Sequence, residues 1–160
     1  MPTKGQEIVK VNLAEIIEKL NKAFADEWLA YYQYWIGAKI IRGKFSKNVI
    51  AELEEHAQDE LKHANMLINR ILQLEGKPIL KPEDWYKMTN CGYDAPEDSS
   101  TIAILKQNIK GERCAIAIYN KLLELTKDKD IITYNMVAEI LTEEVGHEND
   151  LQVLLEDLEG

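Results

Sequence analysis

The stretch "DELKHANML", residues 59–67, sets Glu60 and His63 three positions apart in a segment whose apolar residues recur at helical spacing. The whole chain has only three histidines, and one of them stands here. Residues three apart on a helix differ by about 60° in direction and about 4.5 Å in height, so this glutamate and histidine can reach one small site. The stretch "TEEVGHEND", residues 142–150, repeats the spacing with Glu144 and His147, displaced by 84 residues.

Outward from these stretches the chain reads as helix almost throughout. The periodicity predicts helices over about 12–42, 46–75, 100–126 and 129–159. Gly43 is the expected stop of the first, and Ser46 the expected N-cap of the second. Residues 76–100 hold three of the four prolines and break the pattern, so they form a long connection with one short helix at "PEDWYKM". The expected fold is therefore all-α: one domain over residues 1–160, a four-helix bundle with a single crossover between its two hairpins and no fifth helix.

Heptad positions sharpen the expectation, because every helix interrupts its apolar stripe with one carboxylate. The stripes read Leu13, Leu20, Glu27, Tyr34, Ile41; Leu53, Glu60, Leu67, Leu74; Leu105, Glu112, Tyr119; and Val137, Glu144, Leu151, Leu158. A second stripe of the last helix, Ile140, His147, Leu154, turns His147 inward. A shift of 85 residues lays "ADEWLAYYQY" on "KGERCAIAIY", matching Glu27 with Glu112 and Tyr34 with Tyr119. The repeat thus centres on ionisable residues.

Four carboxylates facing one another in a core would take up protons or cost several kcal/mol each. Two divalent cations resolve the conflict, their +4 balancing Glu27, Glu60, Glu112 and Glu144, with His63 and His147 as neutral nitrogen ligands. A mixed oxygen and nitrogen set without thiolates suits iron or manganese better than structural zinc. A lone Glu-x-x-His on an acidic helix is common, and a single glutamate in a heptad slot is usually solvated. The conjunction of four interrupted stripes with two matching pairs separates this chain from those cases. His56, one heptad before His63, reads as core-edge or exposed rather than as a ligand, and Trp28, Tyr31, Tyr32 and Trp35 read as packing.

Composition excludes several other classes. No apolar run approaches the roughly 20 residues of a membrane span, and "MPTKGQEIVK" lacks the apolar middle of a secretory signal, so a cytoplasmic protein without membrane contact is expected. A net charge of -9 repels phosphate backbones and favours cations, and Lys4 and Lys10 are the only basic residues among the first ten. Nucleic-acid binding is not expected. Two cysteines, Cys91 and Cys114, are too few for a disulfide scaffold and form no CxxC pair.

Glu27, then "ELKH" at 60–63, Glu112, and "EVGH" at 144–147 together resemble the ferritin-like di-iron carboxylate proteins. Within them, "EWLAYYQY" is similar to the first helix of bacterioferritins, and the resemblance places Tyr34 beside a di-iron centre. It further implies that Glu60 and Glu144 bridge two metals while Glu27 and Glu112 are terminal ligands. Tyr119 is either the matching tyrosine or a core aromatic. Leu61 stands where a bacterioferritin carries its haem-ligating methionine, so the resemblance implies two iron ions per subunit, which Mn or Zn could replace, and no haem. The missing fifth helix and the short crossover helix resemble the 12-subunit Dps shells, although ordinary Dps proteins place their iron site between subunits. The combination is similar to the Dps-like proteins called thioferritins, which also carry two cysteines near the metals. At 112 and 114 the side chains diverge by about 200°, so Cys114 is no ligand beside Glu112. A redox pair with Cys91 and two ordinary buried thiols both stay open.

The resemblance implies a ferroxidase that oxidises Fe(II) with hydrogen peroxide or dioxygen, stores ferric mineral in a homo-oligomeric cage, expected to be a 12-mer, and protects against oxidative stress. Two alternatives stand beside it: a di-metal peroxidase or catalase-like enzyme without storage, and a DNA-protecting Dps protein.

Overall fold

The computed structural model describes residues 1–160. A short helical turn, α1 (Lys4–Glu7), precedes two long helices, α2 (Leu13–Ile40) and α3 (Ser46–Gln73). The crossover carries a 3-10 turn (Pro82–Asp84) running into α4 (Trp85–Met88), and α5 (Thr101–Thr126) and α6 (Ile131–Glu159) complete the bundle. The architecture is all-α, with no strands beyond one isolated bridge between Arg42 and Ser100. No helix is long and apolar enough to cross a membrane.

Side-chain caps set most of the helix starts. Asn12, Ser100 and Asp130 accept from the backbone N–H of Glu15, Ala103 and Thr133, filling donors the first turn leaves open. Ser46 is an exception to the expected pattern: it is the first helical residue, and the preceding Phe45 turns the chain in the left-handed region at φ 57° without a side-chain cap. At the other end of α3 the left-handed residue is Glu75 (φ 56°), while Gly76 serves a different need. A Cβ at Gly76 would meet Ile17 at 2.8 Å, so the missing side chain lets the crossover leave close against α2. The helical turn α1 has no apolar periodicity to announce it. It is held by a Thr3–Gln6 capping box, and Gln6 Nε2 donates to the Leu74 carbonyl.

The helix pairs α2–α3 and α5–α6 form antiparallel hairpins, which meet through α2–α5 on one face and α3–α6 on the other. Their apolar side chains bury in two blocks. One contains Leu20, Phe24, Leu67, Ile71, Leu122 and Ile140; the other contains Ala38, Leu53, Ile104, Leu105 and Leu151. Each buried Leu or Ile contributes about 1.5–3 kcal/mol, and these blocks hold the helices together on either side of a polar belt.

The crossover lies over the α2–α5 face and is fastened there. Asp26 accepts from Asn90 N (2.9 Å), Asn90 Nδ2 (2.8 Å), Cys91 N (3.0 Å) and Thr89 Oγ1 (2.5 Å). Trp85 stacks on Trp28 with ring centroids 5.2 Å apart. All four α2 aromatics expected to pack make ring contacts; Tyr32 and Trp35, 5.9 Å apart, do so at the surface, at 48% and 40% exposed.

Candidate metal centre

The polar belt is built from the residues that interrupt the four apolar stripes. Glu27, Glu60, His63, Glu112, Glu144 and His147 come together from α2, α3, α5 and α6, each no more than 4% exposed. Tyr34 and Tyr119 are buried beside them.

The contacts divide the cluster in two. His63 Nδ1 lies 3.5 Å from Glu27 Oε2, 3.2 Å from Glu60 Oε2 and 3.0 Å from Glu144 Oε1. His147 Nδ1 lies 3.4 Å from Glu60 Oε1, 3.5 Å from Glu112 Oε1 and 3.4 Å from Glu144 Oε2. Glu60 and Glu144 therefore present one oxygen to each histidine, whereas Glu27 faces only His63 and Glu112 only His147. The result is two interlocking groups, Glu27/Glu60/His63/Glu144 and Glu60/Glu112/Glu144/His147, with the ligand atoms of each within 4.8 Å of one another.

Each outer nitrogen is held by a carboxylate one residue before a shared glutamate. His63 Nε2 lies 2.5 Å from Glu143 Oε2, and His147 Nε2 lies 3.0 Å from Asp59 Oδ2. These contacts aim both Nδ1 atoms inward, the usual means by which a carboxylate orients a ligating imidazole. Asp59 and Glu143 were not among the expected site residues, although the 84-residue shift that pairs Glu60 with Glu144 also pairs them. The tyrosines obey the same symmetry: Tyr34 of α2 donates to Glu112 of α5, and Tyr119 of α5 donates to Glu27 of α2. Both members of the pair thus touch the carboxylate cluster.

Burial and mutual repulsion set the protonation of this cluster. Glu27 and Glu112 lie well above the usual carboxylate range because they are desolvated and face the other carboxylates. Glu60 and Glu144 lie below it: burial opposes ionisation, but hydrogen bonds from the protonated carboxyls and from both histidines outweigh it. The histidines are raised because those same glutamates surround them, despite the desolvation that acts against their charge. Tyr34 and Tyr119 are raised by burial and by the glutamates they serve.

Even so, the polar atoms are not satisfied. Glu27 Oε2, Glu112 Oε2, both oxygens of Glu144 and His147 Nδ1 are buried without a hydrogen-bond partner of acceptable geometry. A polar atom left unpartnered in the interior costs about 1–3 kcal/mol, and here five such atoms converge on one volume. Two divalent cations fit this donor set. Four carboxylates and two nitrogens would surround them, with no thiolate within the groups.

His56 departs from the expected core-edge or exposed position. It is 1% exposed, and its ring stacks on His147 with centroids 4.0 Å apart. Burial and the neighbouring His147 push it down to about 4, so it is neutral. Cys91 and Cys114 form a disulfide that ties the crossover to α5, with Cα atoms 5.9 Å apart. Both cysteines line a cavity of about 400 Å³ on the α2–α5 face, whose floor includes Glu27, Glu60, Glu112 and Glu144. The cavity thereby runs from the disulfide down to the cluster.

Comparison with known proteins follows the same line. Residues 17–160 match the family described as Ferritin: Ferritin-like domain. The bacterioferritin-related protein of Bacteroides fragilis, described as a dodecameric thioferritin, superposes with a TM-score of 0.92 and 42% identity, covering 93% of this chain and 89% of that one. The DNA protection during starvation protein of Pyrococcus furiosus is 29% identical, covering 97% of this chain and 86% of its own length. A bacterioferritin of Rhodobacter capsulatus is 28% identical, with coverage of 87% and 81%.

Proposed function

Because the chain belongs to the ferritin-like domain family, we propose that it is a ferroxidase that binds and oxidises Fe(II) within one subunit and stores the ferric product inside a homo-oligomeric shell. The observation that carries this reading is the pair of interlocking ligand groups sharing Glu60 and Glu144. Glu27, Glu60, His63 and Glu144 would hold one Fe(II), and Glu60, Glu112, Glu144 and His147 the other. Mn or Zn could fill the same ligands. Leu61, the residue after Glu60, offers no haem ligand, and no haem is part of this reading.

Fe(II) is the substrate, and the residues act on it in sequence. It would reach the carboxylates through the α2–α5 cavity, where Asp26 and the acidic floor attract a cation. Glu27, Glu112, His63 and His147 would give up their protons to ligate, while Asp59 and Glu143 keep the imidazoles aimed. Tyr34 and Tyr119 would hold the terminal glutamates by their second oxygens. Two Fe(II) supply the two electrons that reduce one hydrogen peroxide: 2 Fe(II) + H2O2 + 2 H⁺ gives 2 Fe(III) + 2 H2O. Dioxygen is the other oxidant of this class. The dodecameric relative from Bacteroides fragilis supports a shell of twelve copies as the store. Oxidation that consumes peroxide and removes free Fe(II) would protect the cell without contact with DNA, which a net charge of -9 disfavours.

Ferrous oxidation followed by absorbance tests the proposal. Glu60→Ala or His63→Ala should abolish the fast phase, and an unchanged rate in either variant would sink the assignment. The count of iron retained per shell separates storage from a peroxidase or catalase, which would turn over without accumulating iron.

A further inference from the structure

We propose that Cys91 and Cys114 are a working dithiol–disulfide couple that returns electrons to the ferric pair, so that the centre reduces peroxide repeatedly at the expense of an external dithiol instead of sending its iron to storage. The inference rests on the ferroxidase reading. Both cysteines line the cavity whose floor includes Glu27, Glu60, Glu112 and Glu144. Along α5, Cys114 stands two residues from Glu112, about 3 Å of helix rise. Neither cysteine belongs to the ligand groups, so the pair lies beside the metal positions without filling any of them.

The bond is within reach of an outside thiol. Both cysteines are half-buried, and two exposed glycines, Gly92 and Gly111, stand near them in the cavity lining. A Cβ at either glycine would meet nothing within 4 Å, so there is open space beside the bond for a small dithiol. The crossover also keeps its place when the bond opens. On the α2 side, Asp26 takes four hydrogen bonds from residues 89–91, and Gln33 Oε1 accepts from Asp94 N at 3.4 Å. On the α5 side, Gln107 Nε2 donates to the Ala95 carbonyl at 3.1 Å. A bridge whose only task was to fasten this segment would duplicate those contacts.

Electrons and protons balance over two steps. Peroxide first takes two electrons from the iron: 2 Fe(II) + H2O2 + 2 H⁺ gives 2 Fe(III) + 2 H2O. The reduced pair then restores them: 2 Fe(III) + 2 Cys–SH gives 2 Fe(II) + Cys–S–S–Cys + 2 H⁺. Two S–H bonds break, the Cys91–Cys114 bond forms, each iron gains one electron, and the two protons replace those that peroxide consumed. An external dithiol resets the pair by exchange through a mixed disulfide and leaves as a disulfide itself. The sum is one peroxide and one dithiol converted to two waters and one disulfide, with the iron unchanged. With thiols supplied, the iron turns over; with the bond closed, as it is here, ferric iron moves on to the store.

The folded protein is reduced with dithiothreitol, freed of it anaerobically, loaded with two Fe(II) per chain and titrated with hydrogen peroxide while peroxide consumed and free thiols are counted. The reduced protein should consume two peroxides per chain and lose both thiols. The untreated disulfide form and the Cys91→Ser/Cys114→Ser variant should each consume one. With Zn(II) in place of iron, the reduced protein should keep its thiols over the same interval, because no ferric ion is there to oxidise them. A disulfide that dithiothreitol leaves intact in the folded protein, thiols that survive oxidation of the iron, or equal thiol loss with Zn(II) overturns the relay alone. Iron that stays ferrous in all three forms overturns the ferroxidase reading, and the relay falls with it.

Discussion

Loading the centre with a redox-inactive metal should expel about four protons per chain near neutral pH. Before loading, Glu27 and Glu112 are held protonated by burial and by neighbouring carboxylates, Glu60 and Glu144 are ionised, and His63 and His147 are imidazolium. The buried charge is then two negatives against two positives. After loading, four carboxylates balance two Zn(II) and the histidines are neutral, so the charge is again zero. The difference is two carboxyl and two imidazolium protons. The sign follows from the raised values: these four groups keep their protons at neutral pH, and release falls only as pH rises through their folded values and the metal-free site empties itself. Below that range each ion displaces two protons, so affinity per ion should drop about a hundredfold for each pH unit of acidification. Calorimetric Zn(II) titrations in buffers of different ionisation enthalpy give the proton count directly. Neutral histidines among four ionised carboxylates would release none; a count below about two would refute this charge balance.

The other expected outcomes concern the supports of the site. Asp59→Asn and Glu143→Gln each loosen one imidazole, and metal affinity measured by competition with a chelator should fall about 10–100-fold without loss of the fold. Tyr34→Phe removes the donor to Glu112 and should destabilise the metal-free protein by about 1–3 kcal/mol in urea unfolding. Reducing the Cys91–Cys114 bond frees a connection of 23 residues, and chain entropy sets the loss of stability at about 3 kcal/mol, read as a lower urea midpoint with reductant. Arg70 Nη2 donates to Asp130 at 2.9 Å and its Nε to Thr133 at 2.8 Å, so Arg70→Leu strands a buried carboxylate and should cost about 3–5 kcal/mol.

The centre was legible in sequence because a glutamate on an apolar stripe is conspicuous: each of Glu27, Glu60, Glu112 and Glu144 interrupts leucines and tyrosines at heptad spacing. Asp59 and Glu143 were not, because an acidic residue on an acidic helix looks solvated, and their partners lie 88 and 80 residues away across the bundle. His56 was misplaced for a related reason. Its sequence neighbours Glu52, Glu54 and Glu55 suggest an exposed face, and only the packing of α3 on α6 shows the ring buried against His147. The disulfide depends on how the crossover folds over α5, a separation that spacing does not contain. The turn α1 is too short for periodicity, and its Thr3–Gln6 capping box was the available signal.

The central claim is that one chain holds two irons at a centre bridged by Glu60 and Glu144. Stopped-flow oxidation of Fe(II) added stepwise to the metal-free protein with hydrogen peroxide tests it most directly. The account predicts a fast phase that saturates at two Fe(II) per chain, consumes one peroxide per pair, and vanishes in Glu60→Ala. Saturation at one Fe(II) per chain, or a fast phase that survives Glu60→Ala, would contradict it.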